Sequence, residues 1–118
     1  MKFMVSLITD GTAMEGMTPK QISDFAQRMG EFMEEIRSAG TLVNTGRLGP
    51  ASEARTVRRG DGAPVVTDGP FAETKEQIAG YMVLECGDLD EAADWARRLP
   101  VAGGAVEVRP ITDYDEAS

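Results

Sequence analysis

The chain contains no histidine. That removes the commonest general base at neutral pH, the Ser–His and Cys–His nucleophile pairs and the commonest metal ligand. Any chemistry must rest on carboxylates, lysine, tyrosine or bound water. A single cysteine, Cys86, leaves no partner for an intrachain disulfide. It ends an apolar run between Glu85 and Asp88, and a reactive thiolate needs a cation or a histidine beside it, so a small buried hydrophobe is expected there. Basic residues are also few, 12 against 20 acidic ones, for a net charge of −8. This argues against nucleic acid as a partner, because phosphate is bound by clustered Lys and Arg. The one basic concentration, Arg55, Arg58 and Arg59, splits across both faces of a strand and reads as solvated hairpin surface. No long apolar run is present either. Asp10 and Gly11 end the first one far short of a membrane span or a signal-peptide core. No membrane partner is expected, and the cytoplasm is the default location. Nothing reads as a phosphate-cradling loop or a metal-ligand cluster, so neither cofactor nor metal is expected.

What is present is one regular α+β domain. At 118 residues the chain falls within the size of a single domain and can bury a core without disulfides. The domain is expected over residues 1–112, followed by an acidic tail over 113–118. Lys2 to Thr9 reads as a strand with both faces largely apolar: Phe3, Val5 and Leu7 on one, Met4 and Ile8 on the other. Thr18-Pro19-Lys20-Gln21 opens a helix with a capping box and proline in the first turn. Ile22, Phe25, Ala26, Met29, Phe32, Met33 and Ile36 then form a stripe over about five turns, ended by Gly40.

Thr41 to Leu48 is a second strand. Arg55 to Arg59 turns at Gly60-Asp61-Gly62 into a short return strand, Pro64 to Thr67. Glu73 to Ile78 is expected as a single helical turn or an irregular connection, and Gly80 to Cys86 as a strand. Asp88-Leu89-Asp90-Glu91 starts a second helix with another capping box, and Pro100 stops it. Ala105 to Ile111 is the last strand. This order is the split βαβ, ferredoxin-like arrangement, an antiparallel sheet with two helices on one face. An apolar second face needs a cover, and another copy of the chain is the simplest one.

The stretch Val66-Thr67-Asp68-Gly69-Pro70-Phe71-Ala72-Glu73-Thr74-Lys75-Glu76 interrupts this pattern with a tight turn, in which Gly supplies φ > 0 and Pro a fixed φ. It resembles the signature of the DGPF subgroup of the YCII-related proteins. The Met1-Lys2-Phe3-Met4 start, Thr18-Pro19, Ala39-Gly40-Thr41-Leu42-Val43, Asp88-Leu89-Asp90-Glu91-Ala92 and the Val106-Glu107-Val108-Arg109-Pro110 ending follow in the expected order. The resemblance implies a ferredoxin-like chain that pairs as a dimeric α+β barrel, with a cleft between sheet and helices. In the wider group an Asp–His pair in that cleft is thought to be catalytic. Asp68 matches its Asp, and the His has no counterpart here. Members of the subgroup often occur near extracytoplasmic-function sigma factors, which implies a second reading as a regulatory or interaction module without catalysis.

Two roles are open for Asp68: a base or polar-group ligand in the cleft, or an Asx-turn acceptor for its own downstream amide. Glu73 and Glu76 are i, i+3 neighbours that would form either an acid–base pair or a solvated turn, with Lys75 between them binding an anion or a carboxylate. Arg47 would reach the same cleft and bind a carboxylate or pair with Asp68 itself. Tyr81 would offer a phenol there, or pack with its hydroxyl in solvent. The expected function is a homodimeric small-molecule-binding protein with a polar cleft near Asp68, catalysis being open. Any proton transfer falls to a carboxylate, Asp68 ahead of Glu73 and Glu76.

Overall fold

A computed structural model describes residues 1–12, 14–72, 76–101 and 103–112. The chain runs through β1 (Lys2–Thr9), α1 (Pro19–Ser38), β2 (Leu42–Arg47), a short 3₁₀ turn (Ala51–Glu53), β3 (Arg55–Arg58), β4 (Val65–Asp68), β5 (Gln77–Glu85), α2 (Leu89–Arg98) and β6 (Ala105–Ile111). Four strands form an antiparallel sheet in the order β2-β5-β1-β6, while among the described residues β3 and β4 pair only with each other. The four-stranded sheet with its two helices is the ferredoxin-like arrangement, and the β3–β4 ribbon is an excursion between its second and third strands.

Local chemistry sets the element ends. The Thr18 side chain accepts from the Gln21 amide, and the Gln21 side chain accepts from the Thr18 amide, so the capping box is complete. At α2 the pattern differs from the one expected. Asp88 accepts from the Glu91 amide, but the Glu91 carboxylate reaches one residue further back, to the Gly87 amide. The connection expected over Glu73 to Ile78 is shorter than that, because Gln77 and Ile78 already pair with Thr9 and Ile8 in β5. Residues 73–75 lie outside the described set.

Both helices cover one sheet face. Phe3 and Val5 of β1, Met82 and Leu84 of β5, Phe32 and Ile36 of α1, and Ala92, Ala96 and Leu99 after and within α2 form the buried core. The other face carries Met4 and Ile8, with Val83, Tyr81 and Ile78 beside them in register and Ile111 at one edge. No helix of the described residues covers it, and Met4, Ile78 and Ile111 are exposed.

The α1 stripe is buried only in its second half, contrary to the full core face expected. Met29, Phe32, Met33 and Ile36 pack into the core, whereas Ile22 and Ala26 are exposed and Phe25 is half-buried. The reason is length. With a rise of 1.5 Å per residue, α1 is about 30 Å long and α2 about 15 Å, so half of α1 has no helix beside it. The chain measures 50 × 41 × 17 Å across its Cα atoms. It exposes 8566 Å², against roughly 6,200 Å² for a compact monomer of this mass. Counting the undescribed residues at the unfolded-chain rate of ~1.45 Å² per dalton still leaves an excess on the order of 1,000 Å².

Candidate functional site

The Asp-Gly-Pro turn sits at the base of the β3–β4 ribbon, whose register runs Arg55 to Asp68, Thr56 to Thr67, Val57 to Val66 and Arg58 to Val65. Directly opposed residues share a face. One ribbon face therefore carries Arg55, Val57, Val66 and Asp68, and the other Thr56, Arg58, Val65 and Thr67. Gly69 has φ of 93°, which only glycine adopts without strain. Both of its backbone groups are tied back to the start of β3. Its amide donates to the Ala54 carbonyl at 2.7 Å, and its own carbonyl accepts from Thr56 Oγ1 at 2.8 Å.

This arrangement replaces the Asx-turn considered for Asp68. Among the described residues the partner of its carboxylate is Arg55, with Nε 3.6 Å from Oδ1, and no backbone amide donates to it. The turn needs no side-chain acceptor because Gly69 is already held at both ends. Pairing with Arg47 is also replaced, since Arg55 stands opposite Asp68 in the ladder. The Asp68 side chain is 94% exposed, and nothing among the described residues encloses it. On the other ribbon face the Arg58 guanidinium lies over the Phe71 ring at 5.2 Å, with Nη2 donating to the Phe71 carbonyl at 3.4 Å. Phe71 is itself 74% exposed.

Arg47 and Tyr81 stand on opposite faces of the main sheet. Arg47 opposes Gly80, which neighbours Leu7, and so lies on the helix-covered face at the end of β2. Tyr81 opposes Ser6 and Gly46, on the helix-free face. Its ring lies across Gly46, where a Cβ would stand 2.6 Å from Cε1. Glu76 is exposed at the entry to β5, and Glu73 and Lys75 lie outside the described residues. Sequence reasoning missed Arg55, Thr56, Arg58 and Phe71 as the groups around the turn. Two surface concavities stand out. One follows α1 along Met17, Gln21, Asp24, Gln27, Arg28 and Glu31, and the other is an apolar groove of Ala96, Leu99, Val101, Val106 and Val108 between α2 and β6. Neither includes Asp68, Arg47, Glu76 or Tyr81.

Among the described residues no group of three or more His, Cys, Asp or Glu side chains is placed to hold a metal ion, and no helix is long and apolar enough to cross a membrane. Cys86 is buried. Burial pushes its thiol pKa up, and the carboxylates of Glu91, Glu85 and Asp88 add to the effect. It is a packing residue rather than a nucleophile.

A family model described as the YCII-related domain matches residues 1–115. The chain belongs to the YCII-related family. Within reach of it in sequence is an uncharacterised protein of Rhizobium meliloti, 48% identical over 79 residues. That match covers 64% of each protein, so the chain spans under two thirds of this relative's length. In structure the chain is similar to the 5-chloro-2-hydroxyhydroquinone dehydrochlorinase TftG of Burkholderia phenoliruptrix, solved in complex with 2,5-dihydroxybenzoquinone. The TM-score is 0.52 at 14% identity, over 98% of each chain, a likeness of fold. The chain thus shares with TftG the fold of a sheet and its two helices.

Proposed function

We propose that this YCII-related protein is a homodimer that binds a small polar molecule at the Asp68 turn. The observation that carries the reading is the unfinished surface of the single chain: 8566 Å² exposed, well beyond a compact monomer of its size. A stable interface removes about 800 Å² from each partner, which the excess accommodates. The helix-free sheet face, with Met4, Ile78, Val83 and Ile111, is the apolar surface that supports pairing through the sheets. Location in the cytoplasm is part of the same reading.

The site's groups suit a polar, planar ligand. Asp68 and Arg55 offer an acceptor and a planar donor fork side by side on one ribbon face. That a fold neighbour holds a dihydroxybenzoquinone supports a ligand of this type. If a reaction follows binding, Asp68 carries the proton, since the chain has no histidine.

A second reading, as a regulatory or interaction module working with a sigma factor, is favoured by one observation: neither surface concavity involves Asp68. Two measurements decide. Light scattering at micromolar concentration should give twice the chain mass. A fragment screen by NMR should then find compounds that shift the amides of residues 54–56 and 68–71. A monomer, or a screen in which no fragment moves those amides, sinks the small-molecule reading and leaves the interaction module.

A further inference from the structure

We propose that the β3–β4 ribbon is an arm that packs on a second copy of this chain, and that the Asp68 site is complete only when that copy closes it. This rests on the homodimer reading and adds which element crosses between subunits and what it brings.

The ribbon has no support of its own. It makes no ladder with the main sheet, and an isolated two-stranded hairpin is marginal in water. Its apolar side chains are nevertheless uncovered, Val57 at 52%, Val65 at 57%, Val66 at 60% and Phe71 at 74% exposure. Exposed valines are ordinary singly, but Val57 and Val66 stand uncovered side by side on the face that carries Arg55 and Asp68, and an apolar pair there marks a contact surface. Charge favours a second copy as occupant. Between residues 55 and 68 three arginines face two aspartates, a net +1 within a chain of −8. The arm is therefore attracted to the body of another copy, while the two acidic bodies repel each other. Area allows it as well: the exposed surface exceeds that of a compact monomer by more than one sheet contact of standard size requires.

Register then ties the arm to the site. Val57 and Val66 share a face with Arg55 and Asp68, so whatever covers the valines also covers the ion pair. The carboxylate that stands in solvent in one chain is enclosed in the pair.

The test uses the full chain. Wild type is diluted through its dimer–monomer transition by sedimentation velocity, and hydrogen exchange of amides 55–68 is read by mass spectrometry in both states. The double substitution Val57→Lys, Val66→Lys is measured alongside. Exchange of the arm should quicken by about tenfold or more on dissociation, and the double variant should weaken dimerisation by about tenfold or more with its far-UV spectrum kept. Arm amides that exchange equally fast in dimer and monomer overturn the arm while the homodimer stands. A wild type that stays monomeric at every concentration overturns both. Where the variant does not fold, or the two readouts disagree, wild-type exchange decides.

Discussion

Gly46→Ala tests where Tyr81 lies, and hence whether its phenol is free. A Cβ at this position would stand 2.6 Å from Tyr81 Cε1 and 2.8 Å from Cζ and the hydroxyl oxygen. Carbon atoms pack at about 3.5–4.0 Å, so the ring must move by roughly 1 Å. Overpacking of this kind costs about 1–3 kcal/mol. Replacing glycine stiffens the unfolded chain and offsets roughly 0.4–1 kcal/mol of that, leaving a net loss of about 1–2 kcal/mol. An unfolding entropy near 2.1 cal/mol/K per residue makes each kcal/mol worth about 4 °C in a chain of this length, so Tm should fall by about 4–8 °C. Thermal unfolding by circular dichroism, at fixed protein concentration, reads the effect. The discriminating measurement repeats the substitution in Tyr81→Ala. With the ring gone the clash is gone, and Gly46→Ala should be neutral or stabilising. An equal loss in both backgrounds would refute the placement of the ring and return Tyr81 to the list of free site groups.

Other outcomes follow from the turn and the thiol. Below the dimer–monomer transition, Asp68→Ala and Asp68→Asn should each stay within about 1 kcal/mol of wild type in chemical denaturation, because the single chain loses only an exposed ion pair. Thr56→Val should cost about 1 kcal/mol, because the Gly69 carbonyl loses its donor; a larger effect from Asp68→Ala than from Thr56→Val would reverse the roles assigned to them. Cys86 keeps its proton in the folded chain at a pH where the unfolded chain has released it, since its pKa is raised by burial and neighbouring carboxylates. The stability this gives is whole below the unfolded thiol value of about 8.5 and is lost as pH rises toward the folded value. Wild type should therefore lose stability relative to Cys86→Ala above that pH, and parallel pH profiles of the two would contradict it.

Much of the fold was legible because its signals are local. The alternation of β1, the Thr18–Gln21 box and the Asp88 cap each depend on residues within a few positions, and β1 and β6 begin and end where the pattern puts them. The half-empty stripe of α1 was not legible. Ile22 and Phe25 continue the same periodicity as Phe32 and Ile36, and nothing in a helix's own sequence records that its neighbour is half as long. The partner of Asp68 was within reach. Strands that pair symmetrically about the bond between Asp61 and Gly62 must set Arg55 opposite Asp68, as they do. Arg47 drew attention through chemistry alone, where register was the deciding quantity. The stretch that carries the family signature also begins on β4 and passes through residues 73–75, outside the described set, so Glu73 and Lys75 remain proposals drawn from sequence.

The geometry of the sheet constrains what Asp68 can do. Arg47 lies on the helix-covered face and Tyr81 on the helix-free face, and a sheet cannot bring its two faces to one point. A site in one chain that uses Asp68 with Tyr81 therefore forgoes Arg47, and the reverse. A carboxylate base working near neutral pH needs burial or a like-charged neighbour to hold its proton. In its own chain Asp68 is exposed and set beside the Arg55 cation. Catalysis by Asp68 thus requires a second surface that excludes water from the Arg55–Asp68 pair. Activity that disappears on dilution to the monomer, while ligand binding at the turn weakens far less, would follow; activity independent of concentration across the dimer–monomer transition would rule it out.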